Sequence, residues 1–187
     1  GPSEPLEMNG KLFFSAWDSL HGRELWCTDG TTAGTFMVKD ISPGLNGSIS
    51  GYFSYLSHVH NGVLYFRAND GVTGEELWRS DGTAGGTYLL KEIAAGSAGS
   101  SVGEFASSGS YLYFTANTGT QLWRSDGTTS GTQSIGSFQI VRNLCGVNGQ
   151  LVFSADNSNS GEELWKHNPV TGNTTLLMDL NGVFGAS

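Results

Sequence analysis

The sequence predicts an all-β protein that contains four copies of one four-stranded antiparallel unit. Three observations support this prediction. The composition is rich in glycine, with 28 glycines in 187 residues, and only 14% of the residues are charged. A line around a Leu-Trp pair recurs at intervals of 52, 45 and 42 residues, and an apolar line with the periodicity of a strand precedes each copy. Such a period is typical of repeat proteins, whose units cannot bury their apolar faces alone.

The recurring line joins the Leu-Trp pair to a turn of the type Asp-Gly-Thr. It reads GRELWCTDGTTAGT at 22–35, GEELWRSDGTAGGT at 74–87 and GTQLWRSDGTTSGT at 119–132, and a divergent copy, GEELWKHNPVTGNT, occupies 161–174. Because every unit has one, we interpret the tryptophans of this line as packing residues between neighbouring units rather than a ligand-stacking set. They are Trp26, Trp78, Trp123 and Trp165.

The apolar line, Leu-x-Phe-x-Ala, alternates as a strand does. Its intervening residues are also apolar, which predicts a strand buried on both faces. Asn-Gly precedes it at 9–10, 61–62 and 148–149, and Gly-Ser at 109–110; Asn-Gly predicts a type I′ hairpin after a first strand. The first strands are predicted in SEPLEM, FSYLSHVH, EFASS and IVRNLCGV, and the fourth in FMVKDI, YLLKEI, QSIGSF and TLLMDL.

Long Gly/Ser-rich linkers at 42–51 and 94–103 separate these four-stranded units. Four equivalent sheets that are each buried on both faces fit a ring better than a flat sandwich. The sequence therefore predicts one β-propeller domain with blades at approximately 1–43, 44–95, 96–139 and 140–187. Closure of these blades on themselves, pairing with a second chain and membership of a longer ring are open alternatives.

Residues 24–35, 76–87 and 121–132 resemble the signature of the ELWxxDGT-repeat family of bacterial, mostly secreted or surface proteins. The resemblance extends along nearly the whole chain through the Leu-x-Phe-x-Ala lines. The third copy departs from it with Gln121, and the fourth has Asn168-Pro169, which is similar to the turn of kelch-type blades. The resemblance implies a propeller in an extracellular setting, and it implies no defined activity and no catalytic residues.

The charge and the apolar content limit the classes of partner. Nine basic and seventeen acidic residues give a net charge of −8, which repels nucleic-acid phosphates and anionic lipid. No apolar run approaches the roughly 18 residues of a membrane span, so neither nucleic-acid binding nor membrane insertion is expected. Cys27 and Cys145 are too few for a disulfide framework. We expect two buried thiols, with a bridge as the alternative.

The aspartates of the Asp-Gly-Thr turns, Asp29, Asp81 and Asp126, are interpreted as structural. An Asp before Gly accepts backbone N–H bonds in a tight turn. The alternative role, calcium ligation, needs six to eight oxygen ligands, and each turn offers one carboxylate.

The loops after the second strand and the linkers are expected to share one rim, opposite those turns. Trp17 stands where the other units have Asn or Asp, so its indole is a candidate for stacking on a sugar ring, with packing under the loop as the alternative. Asp70 with Glu75 is the candidate calcium site, against an ordinary Asx turn. The rim residues are Trp17, Asp18, His21, Arg23, Asn69, Asp70, Thr73, Glu75, Asn117, Asp156, Asn157 and Asn159.

No motif of a known catalytic type is present. We expect a non-enzymatic extracellular binding or adhesion module whose rim takes a protein or glycan ligand. Calcium is a candidate ion for steadying the loops, and self-association is a route to a larger ring. The alternatives are a propeller hydrolase or lyase that acts on polysaccharide with dispersed acidic residues, and a spacer without a ligand.

Overall fold

The computed structural model of the protein describes residues 3–51, 53–158 and 161–180. Across these residues the chain forms sixteen strands in four sheets of four antiparallel strands. In every sheet the strands are hydrogen-bonded in the order in which they follow one another along the chain. This up-and-down arrangement confirms the predicted all-β fold class and its four four-stranded blades.

The chain divides into two compact units, Gly1–Val102 with the first two blades and Gly103–Ser187 with the last two. The strands of the first unit are β1 Leu6–Met8, β2 Lys11–Asp18, β3 Gly22–Thr28, β4 Phe36–Lys39, β5 Ser57–His60, β6 Val63–Asn69, β7 Glu75–Ser80 and β8 Tyr88–Lys91. The strands of the second unit are β9 Gly103–Ser108, β10 Tyr111–Ala116, β11 Gln121–Ser125, β12 Gln133–Ser137, β13 Ile140–Val147, β14 Gln150–Asp156, β15 Glu162–Asn168 and β16 Asn173–Met178.

Two-residue turns join the first and second strands of each blade. Asn9 has a φ of 54° and Gly10 a φ of 77°, and the Asn-Gly pairs at 61–62 and 148–149 repeat these positive values. Positive φ at both central residues confirms the predicted type I′ turn. In the third blade only Gly109 of the turn pair has a positive φ, which is the pattern of a type II′ turn.

The predicted first strand of the second blade is wrong in its first half. Phe53–Leu56 forms a short 3-10 helix, and only Ser57–His60 is a strand. The Ser57 hydroxyl donates a hydrogen bond to the Phe53 carbonyl, which closes this turn. The Phe53 ring is buried, with its centroid 6.1 Å from that of Phe66. Burial of this ring in the core accounts for the departure from strand geometry.

Each unit has its own hydrophobic core, to which both of its blades contribute. In the first unit Phe13 packs in one cluster with Leu64 and Phe66. In the second unit Tyr113, Leu122, Leu151 and Phe153 belong to one cluster. The prediction that the second strand is buried on both faces is confirmed in the second blade by Leu64 and Tyr65 and in the third by Leu112 and Tyr113. In the fourth blade it is wrong, because the buried Leu151 and Phe153 share one face and the opposite face is only partly buried.

In the first blade the same prediction is wrong, because Leu12 is exposed. Leu12 and Phe13 are consecutive residues of β2, so their side chains point to opposite faces of the sheet. Phe13 faces the core of the first unit, and Leu12 therefore lies on the far face.

Both cysteines are free thiols. Cys27 is buried, and burial raises the pKa of its thiol. Cys145 is exposed, so the expectation of two buried thiols is wrong for this residue. Its strand, β13, shifts register against β14 between Arg142 and Cys145, and most of β13 after this shift is exposed.

The Asp-Gly-Thr turns are closed by hydrogen bonds of the Ser or Thr, Asp and Thr side chains at the end of the recurring line. The Asp81 carboxylate accepts from the Thr83 N–H at 2.9 Å and from the Thr83 hydroxyl at 2.7 Å. The Ser80 and Thr87 hydroxyls bond at 2.7 Å across the base of the turn. A Cβ on Gly86 would lie 2.0 Å from Asp81 Oδ1, so only glycine fits there. The same Asp–Thr bonds occur in two other turns, at Asp29 and Asp126.

Replacing Asp81 with alanine is expected to lower the free energy of unfolding by about 0.5–2 kcal/mol, to the same extent in calcium and in chelator. The hydrogen bonds from Thr83 lower the pKa of Asp81 from its ordinary 3.8. A carboxyl group whose pKa is lower in the folded state stabilises the fold above its unfolded-state pKa. This stabilisation is lost as the pH falls through the folded-state pKa. The difference in the free energy of unfolding between wild type and Asp81→Ala should therefore decrease at acid pH, which urea titrations at several pH values measure.

The variant Asp81→Asn serves as the control for this titration. It keeps one acceptor oxygen for Thr83 but has no carboxyl group to titrate. We expect Asp81→Asn to retain part of the free energy of unfolding that the turn contributes. The part of the acid dependence that comes from titration of Asp81 should be absent. A loss of stability in Asp81→Ala that occurs only with calcium present would contradict the structural role.

Candidate ligand-binding site

A cleft of about 390 Å³ opens in the first unit, on the rim formed by the ends of two hairpins and the linker between the blades. Trp17 and Arg23 form one wall and are cross-strand partners at the end of β2 and the start of β3. Asn69 and Glu75 form the opposite wall and are partners in β6 and β7. The linker residues in the cleft are Leu45, Asn46, Gly47, Ser48, Ile49, Ser50 and Gly51.

The linker is hydrogen-bonded to both walls. The N–H groups of Ser48 and Ile49 donate to the Arg23 carbonyl at 3.0 and 3.2 Å. The N–H of Asn69 donates to the Ser48 carbonyl at 2.9 Å. These backbone bonds give the cleft its shape before any ligand arrives, and preorganisation of this kind lowers the entropic cost of binding.

The linker approaches β3 so closely that two glycines are required. Gly47 has a φ of 68°, and a Cβ on it would lie 2.2 Å from the Arg23 nitrogen. Gly22 has a φ of 71°, and its Cβ would lie 2.5 Å from the Gly47 nitrogen. Real Cβ atoms do not approach backbone atoms this closely, so glycine is the residue that permits the contact.

Besides Leu45, which is also exposed, the indole of Trp17 provides the aromatic exposed surface of the cleft. Its exposed fraction is 60%, although exposed tryptophans are uncommon in globular proteins. The side chain lies on the edge of the cleft rather than under the loop, which is the placement that stacking on a ligand requires.

The polar walls offer both donors and acceptors. The Glu75 carboxylate accepts from the Ser50 hydroxyl and lies 3.4 Å from Arg67 Nε. The Asn69 side-chain oxygen accepts from the Gly71 N–H at 2.7 Å, and its amide NH₂ is a donor group. Arg23 Nη1 donates to the Ser15 hydroxyl at 3.2 Å. Each polar side chain is thus positioned by a neighbour.

Four predicted rim residues of the first unit do not line the cleft: Asp18, His21, Asp70 and Thr73. His21 Nδ1 and the Asp18 carboxylate lie 2.9 Å apart. Their hydrogen bond lowers the pKa of Asp18 and raises that of His21. Asp70 Oδ1 accepts from the N–H groups of Val72 and Thr73 at 2.9 and 2.8 Å. Asp70 therefore forms the Asx turn that was the alternative to a calcium site.

The calcium candidates Asp70 and Glu75 hold different partners, since Asp70 closes its turn and Glu75 contacts Ser50 and Arg67. Among residues 3–51, 53–158 and 161–180, no three His, Cys, Asp or Glu side chains lie together in a group that could hold a metal ion.

None of the described rim residues of the second unit lines this cleft. The Asn117 carbonyl accepts from the Thr120 hydroxyl at 2.8 Å. Asp156 Oδ1 accepts from the Ser158 N–H at 2.7 Å. Asn157 lines a smaller cleft, of about 280 Å³, with Phe138 and Ser158 among its neighbours. Asn159 lies outside the described residues.

None of the four tryptophans of the recurring line lines this cleft. Trp78 is buried in the core of the first unit, and Trp26 is partly buried. The Trp123 ring stacks on Phe114 with centroids 6.1 Å apart. Trp165 donates from its indole to the Ala155 carbonyl at 3.1 Å.

The sequence argument missed the role of the glutamate in the recurring line. Glu24 is fully buried and accepts from the N–H groups of Ile41 and Ser42 at 3.2 and 3.1 Å and from the Ser48 hydroxyl. Burial raises its pKa, against the effect of these hydrogen bonds. This carboxylate therefore fixes the start of the linker that forms the floor of the cleft.

The second blade repeats the arrangement. Glu76 accepts from the N–H groups of Ile93 and Ala94, both at 2.9 Å, and from the Ser100 hydroxyl at 2.6 Å. The spacing in the sequence could have indicated this role, because in both blades the glutamate precedes the linker serine by 24 residues. The third blade has Gln121 at this position and no long Gly/Ser linker after its last strand.

In the part of the chain that the structure describes, no helix is long and apolar enough to cross a membrane.

Comparisons with known proteins support the propeller fold. No protein-family model and no curated protein sequence matches the chain. Among solved structures, a puromycin hydrolase aligns over 94% of this chain with a TM-score of 0.62 and 16% identity. A puromycin-hydrolyzing peptidase of Mycobacterium tuberculosis aligns over 96%, with a TM-score of 0.57 and 13% identity. TolB from Acinetobacter baumannii aligns over 95%, with a TM-score of 0.51 and 14% identity.

The chain spans 28%, 29% and 44% of the length of these three proteins. At such identities the likeness concerns the fold alone. Together with the four meandering sheets, it defines the chain as a β-propeller protein.

Proposed function

We propose that the protein is a non-enzymatic binding module and that the cleft of its first unit binds a glycan. The observation that supports this proposal best is the exposed indole of Trp17, which faces two positioned polar side chains, Asn69 and Glu75, across the cleft. The volume of about 390 Å³ falls within the usual range of ligand sites, about 300–1,000 Å³.

The chemistry of the walls matches that of a sugar ring. A pyranose has one face of C–H groups, which an electron-rich aromatic face attracts, and a rim of hydroxyls that both donate and accept. Trp17 supplies the aromatic face. Arg23 and the Asn69 amide supply donors, and the Glu75 carboxylate supplies an acceptor.

The setting that we propose is extracellular or at the cell surface, on the resemblance of the recurring line to secreted repeat proteins and on the acidic net charge of −8. The glycan would then belong to a surface or matrix polysaccharide. Binding by the direct contacts above requires no metal, and we therefore expect it to survive a chelator.

Binding of the wild-type protein to a glycan array is expected, with affinity reduced at least about tenfold in Trp17→Ala, which is equivalent to about 1.4 kcal/mol. The control is Tyr55→Ala, which removes an exposed aromatic that does not line the cleft. Equal array signals for wild type and Trp17→Ala would contradict the site. An array without hits, combined with capture of a protein ligand that depends on Trp17, would contradict the glycan.

A screen for hydrolysis or elimination on the bound polysaccharides tests the non-enzymatic part of the proposal. We expect no release of reducing or unsaturated ends. Turnover that is abolished in Asp70→Ala or Asp156→Ala would show instead that dispersed acidic residues of the rim catalyse a reaction.

A further inference from the structure

Because the chain contains four copies of one blade, the burial of each residue can be compared with that of the equivalent residues in the other blades. Leu12 begins the Leu-x-Phe-x-Ala line of the first blade and is 41% exposed. The leucines that begin the other three lines are completely buried. They are Leu64, Leu112 and Leu151.

The first unit shows what covers this position in a neighbouring blade. Leu64 and Phe66 of the second blade belong to one core cluster with Met8, Phe13 and Cys27 of the first. We call the face that carries Leu64 and its equivalents the rear face of a blade, and the face that carries Phe13 and its equivalents the forward face. A forward face therefore covers the next rear face.

The rear face of the first blade is open. Leu12, Phe14 and Thr28 line a cleft of about 240 Å³ together with Ser3 and Pro5. An exposed apolar face that is buried in every other copy of a repeat indicates a contact surface.

The forward face of the fourth blade is open as well. Val147 precedes the Asn-Gly turn and is 44% exposed, whereas Met8 at the same position of the first blade is 2% exposed. Leu164 is partly exposed, although its equivalents Leu25, Leu77 and Leu122 are completely buried.

We propose that the chain self-associates head to tail, with the forward face of the fourth blade of one copy on the rear face of the first blade of a second copy. We assign a second copy to these faces because one is a forward face and the other a rear face. Within the chain, a forward face and a rear face already pack against each other between the first and second blades. The pairing joins different surfaces, so it is heterologous, and copies joined in this way form either a closed ring or an open chain of copies.

Light scattering coupled to size-exclusion chromatography tests this proposal over a range of concentrations. We expect a mass of at least twice the 19.8 kDa of the chain, increasing with concentration. Leu12→Arg and Val147→Arg should each weaken the association at least about tenfold, because each places an unpaired charge in one half of the contact. The control is Val170→Arg, since Val170 is exposed in the turn between β15 and β16.

A mixture of the Leu12→Arg and Val147→Arg proteins should recover part of the association, because it restores one contact between two unchanged faces. Circular dichroism of each variant separates loss of association from loss of fold. A wild-type chain that is monomeric at every concentration would overturn the proposal. Association that Leu12→Arg abolishes but Val147→Arg leaves unchanged would overturn the head-to-tail pairing.

Discussion

Replacing Glu24 with alanine is expected to lower the free energy of unfolding by about 3–5 kcal/mol. The variant leaves the N–H groups of Ile41 and Ser42 and the hydroxyl of Ser48 without their shared acceptor in a buried site. An unsatisfied buried donor costs about 1–3 kcal/mol. Because the linker forms the floor of the cleft, the variant should also lose glycan binding.

The chain provides its own control for this experiment in the third blade. Gln121 stands at the equivalent position, and its side-chain oxygen accepts from the Trp123 indole at 3.0 Å. Gln121→Ala removes one neutral hydrogen bond, so we expect a loss of about 1 kcal/mol. Urea titrations of both variants give the comparison. Equal losses would show that the glutamate does not anchor the linker.

The pH dependence of Glu24 has the opposite sign to that of Asp81. Burial raises the pKa of Glu24 above its ordinary 4.5. Between the unfolded-state and folded-state pKa values the folded chain holds more protons, so this group makes stability fall as the pH rises through that window. Glu24→Gln cannot titrate and should lack this decrease.

Replacing Gly47 with alanine is the second change for which we expect a large effect, a loss of about 2–5 kcal/mol of stability. The added Cβ would lie 2.2 Å from the Arg23 nitrogen, and the residue has a φ of 68°. Overpacking costs about 1–3 kcal/mol, and a left-handed backbone adds about 1–2 kcal/mol for a residue with a Cβ. Thermal and urea denaturation measure the loss.

Gly44→Ala is the matched control in the same linker. Gly44 also has a positive φ, of 112°, but no atom lies within 4 Å of its Cβ position. The control has backbone strain without the clash, so a larger loss in Gly47→Ala than in Gly44→Ala measures the clash. Glycan binding should persist in Gly44→Ala and fail in Gly47→Ala. Binding retained in both would show that the linker position does not shape the cleft.

The turns and most strands were predictable because they depend on neighbouring residues. Asn9-Gly10 determines its turn through positive φ angles, and the Asp81–Thr83 bonds close a turn within a few residues. The 3-10 helix at Phe53 was not predictable in the same way, because it depends on where the Phe53 ring enters the core.

The cleft was predictable only in part. Trp17 was identified because it differs from the other repeats, and Asn69 and Glu75 because they follow a second strand. Asp18 and Asp70 fulfil the same criterion but turn inward to their own loops. The role of Glu24 depends on the path of a linker that returns to β3, and no local pattern specifies that path.

The indole N–H signals of the five tryptophans, followed by NMR during titration with the strongest array glycan, test the glycan site most directly. Trp17→Phe assigns one signal to Trp17, because that signal disappears from the spectrum. We predict a saturable shift of this signal together with the amides of 45–51, and little change at the four tryptophans of the recurring line. Saturable binding that leaves the Trp17 signal unmoved, or that shifts Trp123 or Trp165 instead, would contradict the site.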